Sequence, residues 1–260
     1  MEMSLAEIVD RYGILKLKME SIDEYLSPDQ LKIEKPLLEK ELALYDRAIE
    51  NFRQKGIDIQ EKCVEGLYSA NAKCKEMESN IRRNIGKISS LTSKELEEVG
   101  KSVIKLRGFN EERMVLKNEI SSKSRVTSDI IRMPLGEVID RYTILKLKTE
   151  RIDKLTPDQI LYEKPNLERE LKSFSEAIDK FRQEGFEVED RWIKELYQIN
   201  AKCWDIESDI RRSREKSMGL EEVGRTAMIL RQFAQNRIDL KNEIAAKSKT
   251  GFKEVKIYFK

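Results

Sequence analysis

An asparagine, a glutamate and an arginine stand where packed helices normally place apolar residues, and they do so twice. Under the 3- and 4-residue spacing of buried helix faces, one segment presents Val64, Leu67, Asn71, Cys74, Glu78 and Ile81. A second presents Leu106, Phe109, Arg113, Leu116 and Ile120. The same series return as Ile193, Leu196, Asn200, Cys203, Glu207 and Ile210, then as Leu230, Phe233, Arg237, Leu240 and Ile244. A charge buried without a partner costs several kcal/mol, so these groups must pair or meet a ligand. Two arrangements would satisfy them. One is an internal Glu78–Arg113 ion pair, with Asn71 closing the hydrogen bonds. The other is a polar cavity in which arginine clamps an anion.

Further charges lie near the same faces: Arg11, Lys16, Arg82, Arg107 and Lys117, with Arg141, Lys146, Arg211 and Lys241 as counterparts in the second series. Each alone reads as a solvated or snorkelling side chain. Together they point to a phosphate or carboxylate. Asp10 and Asp140 share a helix face with apolar residues, so partial burial is expected. Tyr12 and Tyr142 read as core, or as rings on which a base would stack. Gly100 and Gly224 fall inside helices, where glycine costs about 1 kcal/mol against alanine. They signal close approach of another helix or of a ligand, packing being the simpler cause.

These residues are positioned by an internal duplication. Leu5-Ala6-Glu7-Ile8-Val9-Asp10-Arg11-Tyr12 returns as Leu135-Gly136-Glu137-Val138-Ile139-Asp140-Arg141-Tyr142, and Leu116-Lys117-Asn118-Glu119-Ile120 as Leu240-Lys241-Asn242-Glu243-Ile244. The period of about 130 residues is far longer than that of a solenoid. The reading is all-α: two tandem helical-bundle repeats of about four helices each, with pseudo-two-fold symmetry. Repeat 1 covers 1–124 and repeat 2 covers 125–260. A linker or strand at 125–134 precedes the second repeat and a short strand at 252–260 closes it. In the first copy, helices are predicted over Ser4–Tyr25, from Pro28, over Gln60–Arg83 and over Lys94–Lys123. The first is apolar on two sides, which makes it central in its bundle. Ser27-Pro28 and Thr156-Pro157 read as helix starts. Pro36 and Pro165 imply a kink or a fresh start. Gly56 and Gly185 read as C-terminal caps. Ile130–Met133 and Val255–Phe259 are β-prone and are expected to pair as a small two-stranded patch.

Composition narrows the chemistry. No histidine is present among the 260 residues, which removes histidine-based triads and nearly every transition-metal site. Fifty basic residues nearly balance 48 acidic ones, so no field for non-specific nucleic-acid binding is expected. Charged residues at 38% and apolar residues at 39% suit long amphipathic helices rather than disorder. Cys63, Cys74 and Cys203 form no C-x-x-C pair and read as reduced thiols. With no apolar run long enough for a membrane span and no secretory leader, the expected location is cytoplasmic, and host cytoplasm for a viral protein.

The stretch Gly136-Glu137-Val138-Ile139-Asp140-Arg141-Tyr142-Thr143-Ile144-Leu145-Lys146-Leu147-Lys148 resembles the opening G-E-L-I-D-K-x-T-I-L-x-I-K of an uncharacterised bacterial and phage domain family, with Arg141 for the usual Lys. Asn200-Ala201-Lys202-Cys203-Trp204-Asp205-Ile206-Glu207-Ser208-Asp209-Ile210-Arg211 is similar to its later N-x-x-L-W-x-I-E-D-x-I-R. Asn110-Glu111-Glu112-Arg113-Met114-Val115-Leu116-Lys117 is similar to its N-D-x-R-x-x-x-K; the second copy departs there, with Ala234 for Asn110. The resemblance implies a strand before the first helix and supplies no function. It singles out Asp10, Arg11, Lys16, Asn71, Glu78, Arg82, Arg113, Lys117 and their counterparts for testing. It also implies that single-copy relatives dimerise, as this chain would do internally.

The function expected from these observations is non-enzymatic binding of a small anionic, nucleotide-like ligand, in a phage setting by sequestering a host signal. No cofactor, metal, membrane or nucleic acid is expected. The chain itself is expected to be a monomer with an internal pseudo-dimer, or a homodimer. The alternative is a helical scaffold or protein-interaction module. A second alternative is an enzyme. Glu7-Ile8-Val9-Asp10 matches half of the carboxylate pattern of helical nucleotide pyrophosphohydrolases, but Lys101 stands where the other half needs a glutamate. The buried arginine and glutamate suit a chorismate-mutase-like reaction in type but not in order.

Overall fold

The computed structural model describes residues 2–82, 90–123, 127–154, 156–216 and 219–251. A short strand β1 (Glu2–Ser4) leads into α1 (Leu5–Tyr25), α2 (Pro28–Gln54), α3 (Glu61–Arg82) and α4 (Ser93–Lys123). Strand β2 (Thr127–Arg132) precedes α5 (Leu135–Glu150), a 3-10 turn (Ile152–Lys154), α6 (Pro157–Gln183), α7 (Asp190–Lys216) and α8 (Leu220–Ser248). The all-α reading holds, with one small sheet. None of the described helices is long and apolar enough to cross a membrane.

Local chemistry sets the helix ends. Ser27 and Thr156 form capping boxes with Gln30 and Gln159, each with proline in the first turn. Thr92 and Glu95 do the same for α4, the Thr92 N–H donating to Glu95 Oε2 at 2.8 Å. Gly56 and Gly185 take φ of +76° and +84°, which a side chain would resist. Around them Ile57 N–H donates to Phe52 O, and Phe186 N–H to Phe181 O, both at 3.0 Å. This is the Schellman end of a helix, and the Phe181 and Phe186 rings add its apolar contact, edge to face at 5.4 Å. Pro36 and Pro165 lie inside uninterrupted helices, so neither starts a new one.

The sheet differs from the expected pairing. β2 pairs antiparallel with β1, Glu2 opposite Arg132 and Ser4 opposite Thr127. Ile130–Arg132 is therefore strand, as expected, but its partner is the first segment of the chain, and the predicted strand at 255–259 lies outside the described residues. The residue pattern of Glu2–Ser4 is too short to show β character, and only the family resemblance implied a strand before the first helix.

Two compact units are formed. The first comprises Glu2–Arg132 together with Lys216–Met228, the second Met133–Glu215 together with 229–251. The compact units are thus bounded differently from the sequence repeats. In the first unit α1 packs against α2, α3 and α4. Leu5, Ile8, Val9 and Ile22 are buried with Ala48, Ile49 and Phe52 of α2, Leu67 of α3 and Ile120 of α4. Leu15 and Leu17, on different sides of α1, are both buried, so α1 is central to its unit. In the second unit Leu135, Val138 and Ile139 are buried with Phe181, Trp192, Leu196 and Ile244.

Candidate functional site

Each unit holds one buried polar cluster, built from three helices. In the first unit α1 supplies Glu7 and Asp10, one turn apart and hence on one face. α4 supplies Arg113 and Lys117, also one turn apart, and α3 supplies Asn71. Arg113 grips Asp10 with two parallel bonds, Nε to Oδ1 at 2.7 Å and Nη2 to Oδ2 at 2.5 Å. Lys117 Nζ donates to Glu7 Oε1 at 2.6 Å and stands 3.4 Å from Asp10 Oδ2. Asn71 Nδ2 donates to Asp10 Oδ1 at 3.1 Å. The Asp10 side chain is 2% exposed and that of Arg113 28%.

The second unit repeats the arrangement. Arg237 Nε and Nη2 donate to Asp140 Oδ1 and Oδ2 at 2.8 and 2.5 Å. Asn200 Nδ2 donates to Asp140 Oδ1 at 3.0 Å, and Lys241 pairs with Glu137. One polar group is added: Asn200 Nδ2 also lies 2.9 Å from Thr143 Oγ1. The first copy has Gly13 at that position. A Cβ there would meet nothing nearer than Asn71 Nδ2, at 3.5 Å. Gly13→Ala should therefore raise stability by about 0.5–1 kcal/mol, by removing chain entropy from the unfolded state and improving helix propensity. Thermal unfolding checks this; a lowered midpoint would show that Asn71 has no room to yield.

Electrostatics follow from the packing. Burial works to raise the Asp10 carboxyl. The Arg113 hydrogen bonds and charge, then Lys117 and Asn71, outweigh it and hold the group below the usual aspartate range. Arg113 and Arg237 are pushed down by burial but raised further by their aspartates. Burial pushes the Cys74 and Cys203 thiols up to about 11, only partly opposed by the neighbouring arginines. Thiols held protonated in this way are poor nucleophiles. Cys74 Sγ lies 3.6 Å from Asn110 Oδ1, an acceptor that Ala234 cannot replace in the second copy.

The structure brings together Asp10, Asn71, Arg113 and Lys117, and likewise Asp140, Asn200, Arg237 and Lys241. It corrects the expected Glu78–Arg113 pair: the carboxylate that Arg113 grips is Asp10. Glu78 lies seven residues beyond Asn71, about 10 Å along α3, and it is Asn71, not Glu78, that shares the Asp10 carboxylate with Arg113. It is half-buried near Cys74, and Glu207 is exposed. Arg11 and Arg141 are half-buried, as are Tyr12 and Tyr142, which pack against the cores. Lys16 and Lys146 are exposed and sit 5.4 Å over the Tyr68 and Tyr197 rings. The side chains of Arg82 and Arg211 lie outside the described residues.

Glu7, Glu137 and Thr143 belong to the clusters although none was among the expected site residues. The signal for the glutamates was available: acids at i and i+3 on the first helix match bases at i and i+4 on the fourth. Both carboxylates of Glu7-Ile8-Val9-Asp10 are thus occupied by cations. Among the described residues, no three acidic or thiol side chains gather where they could hold a metal ion. The three motif stretches singled out in the sequence, far apart along the chain, converge on one polar cluster per unit. No family model matches this chain, and neither a curated protein nor a solved structure matches it.

Proposed function

We propose that the chain is a non-enzymatic helical interaction module, and that its polar clusters are internal locks rather than ligand sites. One observation carries this reading: in each unit two acids face two bases, and every carboxylate and cation of the quartet has a partner within it. A neutral, satisfied quartet makes no demand for an anion, whereas it fixes the level at which the first and fourth helices of each bundle meet. Surfaces for a partner are present elsewhere. Leu161 and Tyr162 near the start of α6 are 79% and 74% exposed, and Ile33 and Leu37 occupy the matching part of α2. Replacing Leu161 and Tyr162 with glutamate should leave thermal stability unchanged and abolish recovery of a protein partner that the unsubstituted chain captures. Capture that survives the substitution would exclude this surface.

A second reading, a binder of a small anionic, nucleotide-like ligand, is favoured by one feature. Asp10 and Asp140 engage Nε and Nη2 of their arginines, and among the described residues Nη1 makes no hydrogen bond. Thermal unfolding against nucleotides, cyclic nucleotides and small carboxylates separates the two readings. A ligand at a hundred times its dissociation constant adds about 2.7 kcal/mol, a shift of several degrees. The module reading expects a flat panel. A shift lost in Arg113→Lys would replace it with the binder.

A further inference from the structure

Within the first unit, the start of α8 crosses α4 at a pair of glycines. A Cβ on Gly100 would run into the carbonyl oxygen of Leu220, and a Cβ on Gly224 into that of Leu96. The same hypothetical atoms would lie 3.4 Å from Gly224 N and 3.2 Å from Gly100 N. The contact is therefore reciprocal: each helix offers its glycine to the other's leucine carbonyl. Only glycine allows backbones this close.

The two faces are also nearly the same sequence. Leu96-Glu97-Glu98-Val99-Gly100-Lys101-Ser102 meets Leu220-Glu221-Glu222-Val223-Gly224-Arg225-Thr226. Leu96, Val99 and Val223 are buried, and Met228 joins Cys74, Ile81, Val99 and Leu106 in one small apolar core. Two of the acids beside the crossing pair with cations on their own helices. Lys101 pairs with Glu98 at 2.7 Å and Arg225 with Glu221 at 3.0 Å. Reciprocal contact between equal faces is the signature of an isologous interface.

We propose that this L-E-E-V-G face is a self-recognition surface, and that the α4 face binds a second copy of itself, from another molecule of this chain, once the α8 segment is withdrawn. The crossing seen inside the chain is the template for that contact, since an α4–α4 pair would present the same leucine carbonyls and glycines on both sides.

Gly224→Ala tests this in the full-length chain. Alanine is the best helix former, so α8 is retained, yet its Cβ bars α8 from Leu96 and leaves the α4 face uncovered. Sedimentation equilibrium should show the mass doubling relative to the unsubstituted chain. Adding Gly100→Ala should return it to the unsubstituted value, because the second Cβ bars α4 from α4. Gly100→Ala alone frees the α8 face instead, and the same symmetry requires it to dimerise. Far-UV circular dichroism verifies that each variant keeps its helices. A folded Gly224→Ala chain of unchanged mass would overturn the proposal, as would a dimer that persists in the double variant.

Discussion

Arg113→Ala is expected to cost the first unit about 3 kcal/mol of stability, read as a lowered midpoint in denaturant unfolding. The loss comes less from the missing arginine than from the carboxylate left behind. Asp10 is 2% exposed, and Arg113 supplies both of its strongest bonds. Breaking a buried pair on one side typically costs about 3–5 kcal/mol, because a desolvated charge remains without its counter-charge. Asn71 at 3.1 Å and Lys117 at 3.4 Å compensate in part, which places the expectation at the lower end. Arg113→Lys keeps the charge but cannot make both bonds, so it should lose an intermediate amount. Replacing both partners together, Asp10→Leu with Arg113→Met, should restore most of the loss, since no buried charge is then orphaned. A double variant as unstable as Arg113→Ala would show that the cluster stabilises through something other than this pair.

The same pair makes the unit sensitive to acid in a defined direction. The Asp10 carboxyl is held below 3.8, its ordinary value in an unfolded chain. Below neutral pH the folded state therefore binds fewer protons than the unfolded state. The stabilisation is complete above the unfolded value and is lost as pH falls through the folded one. Arg113→Ala should flatten this acid limb of the stability profile, a change that simple loss of packing would not produce.

Trp192→Ala should destabilise the second unit by about 3–5 kcal/mol, the range for removing a buried aromatic from a packed core. Trp192 is fully buried. It is the largest residue of a core that also holds Phe174, Phe181 and Leu196. Its Nε1–H donates to Glu243 Oε1 at 3.3 Å, and Lys247 lies 5.7 Å over the ring. The alignment that places Asn71 with Asn200 places Cys63 with Trp192, and Cys63 is itself buried. The two cores therefore reached different solutions at one position. Trp192→Cys should leave a cavity nearly as damaging as alanine, and Cys63→Trp should overpack the first unit. Near-neutral exchange in both directions would mean that the cores are less tightly packed than their burial shows.

Much of this protein is legible in its sequence because it depends on near neighbours. The described helices follow from spacing, and the ends of α2 and α6 follow from Ser27, Thr156, Gly56 and Gly185, which act within a few residues of themselves. The two apolar sides of α1 announced a central helix. Gly100 and Gly224 announced a close helix crossing, since a helix keeps glycine at a cost only where a backbone must approach. The polar positions Asn71, Arg113, Asn200 and Arg237 were visible for the same reason: spacing reports the face of a helix on which a residue lies.

Spacing does not report the level at which one helix meets another. That is why the sequence pointed to Glu78, on the same helix face as Asn71, as the partner of Arg113, and why only the packed bundle revealed Asp10 in that place. It is also why Glu7 drew notice only as half of a metal-binding carboxylate pattern, and why its pairing with Lys117, like that of Glu137 with Lys241, emerged only in the packed bundle. The strand pairing has the same origin, since β1 is too short to show a pattern of its own and gains its hydrogen bonds only when the chain returns with β2, Ser4 opposite Thr127 and Glu2 opposite Arg132. What near neighbours decide, the sequence determined alone: helix type, helix ends and buried faces. What distant segments decide, the axial level of each helix and hence the identity of each buried ion pair, was settled by the tertiary structure, where the whole core must pack at once.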